Sequence, residues 1–87
     1  MAAKAAVDTL VVGIAREVAK EGIRINAASP SAIDTKIHEP GRLERIIPYL
    51  PMGRPGTAEA VAEGILFLLS DATIYITGTT LNVSGGR

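Results

Sequence analysis

Cysteine is absent from the 87 residues, which excludes a disulfide framework, a thiolate metal site and a cysteine nucleophile together. Tryptophan is absent as well, and the aromatic residues number only one phenylalanine and two tyrosines. Charge of either sign is missing as a net quantity: nine basic and nine acidic residues cancel. That balance gives no long-range pull towards nucleic acid or an anionic membrane, so neither is expected as a partner. No stretch approaches the roughly 20 apolar residues of a membrane span. The opening MAAKAAVDTL carries a lysine and then an acid without an unbroken apolar core, unlike a secretory signal. A cytoplasmic location is the expectation. Internal repeats and low-complexity tracts are lacking too. A chain this short buries only about 60–65% of the surface its unfolded form exposes, so marginal stability is expected.

What is present reads as α/β. Val7, Leu10, Val11, Ile14 and Val18 recur at helical spacing, flanked by Ala3, Ala6 and Ala15, and predict a helix over 2–21. Lys4, Asp8, Arg16, Glu17, Lys20 and Glu21 occupy its other side, and Gly22 ends it. Ile23 to Ala28 is a β-branched, alternating run that reads as a strand. Helix, glycine, strand is the second half of a βαβ unit, so the strand feeding the helix would precede Met1, and a partial fold is expected.

From Ser29 to Gly56 five prolines, at 30, 40, 48, 51 and 55, exclude long regular elements. Gly41 to Ile47 could form about two helical turns closed by Pro48. Thr57 is a good N-cap with Glu59 in the first turn, and Val61, Ile65, Leu68 and Leu69 form an apolar stripe running to about Ser70. Asp71 to Thr73 turn the chain. Tyr75, Ile76 and then Thr79 to Val83 resemble a final strand before Ser84-Gly85-Gly86-Arg87. The two strands should run parallel with a right-handed crossover. Two parallel strands and two helices leave sheet faces to be covered.

The residues alone assemble no active site. His38 is the single histidine, and Asp34 with His38 fits a surface role better than catalysis. Gly53, Gly56, Gly85 and Gly86 are not spaced as a phosphate-cradling loop and read as turn residues.

Four stretches, in order, resemble the short-chain dehydrogenase/reductase family. A-A-K-A-A-V, opening a helix that ends E-G-I-R-I-N, is similar to the helix that begins with that family's Y-x-x-x-K motif. Asn26 to Thr35 resembles its N-x-x-x-P-G-x-x-x-T stretch, with Ser31 where glycine is usual. Pro51 to Arg54 followed by Thr57 to Ala62 resembles its return to helix after the substrate loop, and Ile76-Thr77-Gly78 to Ser84-Gly85-Gly86 its last strand.

The resemblance implies the carboxy-terminal part of a Rossmann-type doubly wound parallel sheet, with residues 1–87 as one partial domain and 36–56 as the substrate-loop region. That loop is a few residues short of the family pattern between His38 and Glu39. It implies an NAD(P)-dependent oxidoreductase moving a hydride between cofactor and an alcohol or carbonyl. Lys4 falls on the family's active-site lysine, which holds the nicotinamide ribose and lowers the pKa of a tyrosine, since an ammonium nearby favours phenolate. Lys4 is thus the candidate catalytic residue and, with Pro30, Ser31, Ile33 and Thr35, a candidate cofactor contact. Serine at 31 would compromise a contact that needed positive φ. No metal is implied. The partner tyrosine would sit one place before Met1, and the family's catalytic serine and glycine-rich cofactor turn are not among these residues. The chain by itself is therefore expected to be inactive and to bind neither NAD nor NADP. The resemblance also implies a homo-oligomer. Two other readings of the 87 residues are an interaction module without catalysis and a small-ligand binder using the 29–35 turn.

Overall fold

The computed structural model describes residues 2–35 and 40–87; Lys36, Ile37, His38 and Glu39 lie outside the described residues. The first helix, α1, spans Ala2–Val18 and tightens into a 3-10 turn at Ala19–Glu21. Gly22, left-handed at φ 78°, closes it, its N–H donating to Ala19 O at 3.1 Å. Two short strands follow the α/β expectation: β1 at Ala27–Pro30 and β2 at Thr80–Val83 pair in parallel, Ala27 opposite Thr80 and Pro30 opposite Val83. Between them come α2 (Arg42–Ile46), a 3-10 turn at Ile47–Tyr49 and α3 (Ala58–Leu69).

Four expectations need correction. The strand begins at Ala27, not Ile23. Before Ala27 the backbone is engaged by the loop ahead of β2: Gly78 N–H donates to Ile25 O at 2.7 Å and Ile25 N–H to Thr77 Oγ1 at 3.0 Å. Asn26 completes this clasp, its Nδ2 donating to Ile76 O and its Oδ1 accepting from Thr79 N–H, both at 3.1 Å. For the same reason Tyr75, Ile76 and Thr79 fall outside β2, and Tyr75 is 98% exposed. Pro48 lies within the 3-10 turn rather than closing the helix, because an early ring position costs no intrahelical N–H. The apolar stripe of α3 is only partly covered: Leu68 is buried, but Leu69 is 71% exposed.

Capping fixes both ends of α3. Thr57 Oγ1 accepts from Ala60 N–H at 3.0 Å, as its N-cap position predicts. At the other end the guanidinium of Arg24 reaches in from the chain before β1. Its Nη1 donates to Leu68 O and Thr73 O, each at 2.9 Å, and to Ile76 O at 3.4 Å, while Nη2 donates to Ser70 O at 3.4 Å. A cation on terminal carbonyls satisfies orphan acceptors and complements the helix dipole. Thr73, 1% exposed, sits beneath it and donates to Leu68 O at 2.9 Å.

The core is small: Ala15, Ala32, Ile33, Leu50 and Leu68, with Thr73. α1 meets the rest through Ala15, which faces Gly78, and through Asp8, whose carboxylate accepts from Thr80 Oγ1 at 2.8 Å. Val7, Leu10, Val12 and Ile14 stay outside, Leu10 at 60% exposure, while Val11 and Val18 are half-buried. The radius of gyration is 15.1 Å, against about 12 Å for a compact domain of this length. No described helix is long and apolar enough to cross a membrane.

Candidate functional site

The turn leaving β1 forms one wall of a cavity of about 390 Å3. Strand pairing continues one residue past β1, where Ser31 N–H donates to Val83 O at 3.1 Å, and then the chain swings away. Ala32 makes the swing at φ 57°, the one positive-φ residue other than glycine among the described residues. An alanine held left-handed is uncommon, and such strain collects at functional sites. A second tether follows at once. Gly56 N–H donates to Ala32 O at 3.0 Å, Asp34 N–H to Gly56 O at 2.8 Å, and Ile33 forms an isolated parallel bridge with Gly56. A Cβ on Gly56 would lie 2.8 Å from Ile33 Cδ1, so a larger residue there would have to push the end of the Ile33 side chain aside.

Pro30, Ser31, Ile33 and Thr35 all line this cavity, with Ala32 among them and Ala58 and Val61 opposite. The capped first turn of α3 brings those last two into place. The lining is mainly apolar, but Thr35 Oγ1 is buried with no hydrogen-bond partner among the described residues. A buried hydroxyl left unpaired costs about 1–3 kcal/mol. Positive φ falls at Ala32, so the serine at 31 carries no left-handed strain. Lys4 stands apart: it is exposed on the first turn of α1 and does not line the cavity. Among the described residues no group of three His, Cys, Asp or Glu could hold a metal ion.

Sequence reasoning missed Gly56, Ala58 and Val61 as parts of this site. Ala58 and Val61 are three apart on one helix face, which spacing reveals; that the face meets the 30–35 turn is a tertiary fact. The departure between His38 and Glu39 and any role for Lys36 lie outside the described residues.

Comparison with known proteins bears on the whole chain. A family model described as enoyl-(acyl carrier protein) reductase matches residues 1–87. The uncharacterized oxidoreductase YgfF of Escherichia coli K12 is 46% identical over 90 residues, covering 99% of this chain and 36% of that protein. Glucose 1-dehydrogenase of Gluconobacter oxydans is 41% identical, covering 98% of this chain and 34% of that protein. The 3-oxoacyl-(acyl-carrier-protein) reductase FabG of Pseudomonas aeruginosa is 39% identical, covering 98% and 36%. The chain thus spans about a third of the length of these relatives. The motifs, their order and the whole-length match agree: the chain belongs to the short-chain dehydrogenase/reductase family.

Proposed function

We propose that this chain supplies the nicotinamide-side wall and the substrate-side segment of an NAD(P)-dependent oxidoreductase acting on an alcohol or carbonyl. It would do so as the carboxy-terminal part of a Rossmann-type doubly wound sheet. One observation carries the reading: Pro30 to Ile33 and Thr35 line one cavity, and the Thr35 hydroxyl is buried without a partner among the described residues. A nicotinamide carboxamide has both a donor and an acceptor, and a threonine hydroxyl can serve either. The apolar lining of Ala32, Ile33, Ala58 and Val61 suits the flat face of a ring. When bound, the cofactor supplies or takes up the hydride. Thr35 and the backbone of the turn would hold the carboxamide and so orient the ring, while Lys4 would hold ribose hydroxyls and favour the ionised form of a nearby tyrosine. The relatives' names, a glucose dehydrogenase and a 3-oxoacyl reductase, support an alcohol or carbonyl substrate. Tyr49 and Tyr75 do not precede Lys4, so the 87-residue polypeptide alone is expected to turn over no carbonyl.

Thr35→Val tests the assignment, because its two effects have opposite signs. Removing an unpaired buried hydroxyl should leave the unliganded protein as stable or more so. In an enzyme containing this chain, the cofactor should bind about two- to tenfold more weakly, the value of one hydrogen bond of about 0.5–1.5 kcal/mol. Unchanged cofactor affinity, measured by titration, would refute the role.

A further inference from the structure

The last residues of the chain touch both ends of one excursion. Ser31, where the chain leaves the sheet, donates its N–H to Val83 O at 3.1 Å. Met52, where the chain comes back, donates its N–H to Gly85 O, also at 3.1 Å. Residues 83–85 therefore close the neck of that excursion. Its returning arm is α2 and the 3-10 turn Ile47–Tyr49, anchored by the buried Leu50; Leu50 N–H donates to Ile47 O at 3.0 Å and Gly53 N–H to Leu50 O at 2.9 Å.

The closing strap depends on two consecutive left-handed glycines, Gly85 at φ 62° and Gly86 at φ 94°. At Gly86 the constraint is steric as well as conformational. A Cβ there would lie 3.0 Å from Pro51 Cβ and 3.3 Å from its Cγ, and a proline ring has little freedom to give way. At Gly85 a Cβ would rest against Met52, 3.4 Å from its Cβ. Gly22 makes the contrast: it too is left-handed, at φ 78°, yet nothing lies within 4 Å of where its Cβ would stand.

We propose that Gly85 and Gly86 are positioning residues for the arm 42–53. They set where it rejoins the sheet and, through it, the substrate side of the cleft. The second half of this statement rests on reading 36–56 as the substrate-side segment. The first half does not.

Hydrogen exchange of single amides, followed by NMR on the 87-residue chain, separates the two. Gly86→Ala is expected to speed exchange at Leu50, Met52 and Gly53 by about tenfold or more relative to the amides of α3, because local opening sets those rates. Gly22→Ala imposes similar backbone strain without the collision and should leave that ratio unchanged. Deleting residues 86 and 87 introduces no strain at all and should loosen the same three amides. Loss of the ratio in neither Gly86 variant, or an equal loss in Gly22→Ala, would overturn the positioning role. In an enzyme containing this chain, Gly86→Ala should raise KM for the carbonyl by about tenfold with the cofactor KM within about twofold, misplacement being felt on the substrate side alone. If the arm loosens and the carbonyl KM stays, the substrate-side assignment falls. The cofactor reading at Thr35 is untouched by either result.

Discussion

Lys4 and Thr35 divide the proposed cofactor contacts between an exposed side chain and a half-buried one whose hydroxyl is buried, and they test differently. Thr35 sits in the cavity wall, where its hydroxyl is buried and has no hydrogen-bond partner among the described residues. Lys4 lies at the surface of α1, and the role proposed for it depends on a tyrosine close by. In an enzyme that supplies that tyrosine, Lys4→Met should cost far more rate than Arg16→Met, since general acid–base catalysis is worth about 10²–10⁴. The sign of the pH effect is fixed: losing an ammonium raises the phenol's pKa, so the optimum should move upwards. A pH–rate profile of each variant checks both points, and an unshifted optimum for Lys4→Met would falsify the assignment. Pro30, Ser31, Ile33 and Thr35 could be grouped from the sequence because they belong to one turn. Gly56, distant in sequence, could not: only the fold brings it against Ile33.

At the scale of elements, α3 is the piece on which the site leans, because its first turn forms one side of the cavity and its last is pinned to the chain before β1. Its two caps have unequal weight. Thr57 contributes one hydrogen bond to an exposed end, and Thr57→Ala should lower stability by about 1 kcal/mol. Arg24 ties several carbonyls from three turns of chain, and Arg24→Met should cost about 2 kcal/mol or more, hydrogen bonds from a charged donor being the stronger kind. Urea unfolding of the two variants, compared at equal slope, measures the difference; equal midpoints would show that Arg24 secures α3 no more strongly than Thr57 does. The Thr57 cap was legible from residue type and position alone. Arg24 was not, because it looks like the polar member of an alternating strand until its partners, more than forty residues away, are in view.

The whole molecule carries more apolar surface than it hides. Val7, Leu10, Val12 and Ile14 on α1, and Leu66, Phe67 and Leu69 on α3, are exposed, and the radius of gyration is 15.1 Å. Burying ~500 Å2 of such surface is worth about 12 kcal/mol at 25 cal/mol per Å2, comparable to the stability of a small domain. The isolated polypeptide is therefore expected to associate with further copies of itself, as the apolar faces of α1 and α3 favour. Sedimentation velocity across a dilution series tests this; a cooperatively melting monomer at low micromolar concentration would contradict it.

Sequence by itself determined the helices, their caps at Gly22 and Thr57, the parallel α/β order and the family, because these follow from local periodicity, terminal hydrogen bonding and short motifs. Where β1 begins, which residues face the 30–35 turn and what secures the end of α3 were decided only in three dimensions. Each depends on a partner far along the chain: Asn26 on residues 76–79, Ile33 on Gly56, Arg24 on residues 68–76. Local patterns fix how a segment folds on itself; which distant backbone group satisfies its remaining donors and acceptors is settled only when the chain packs.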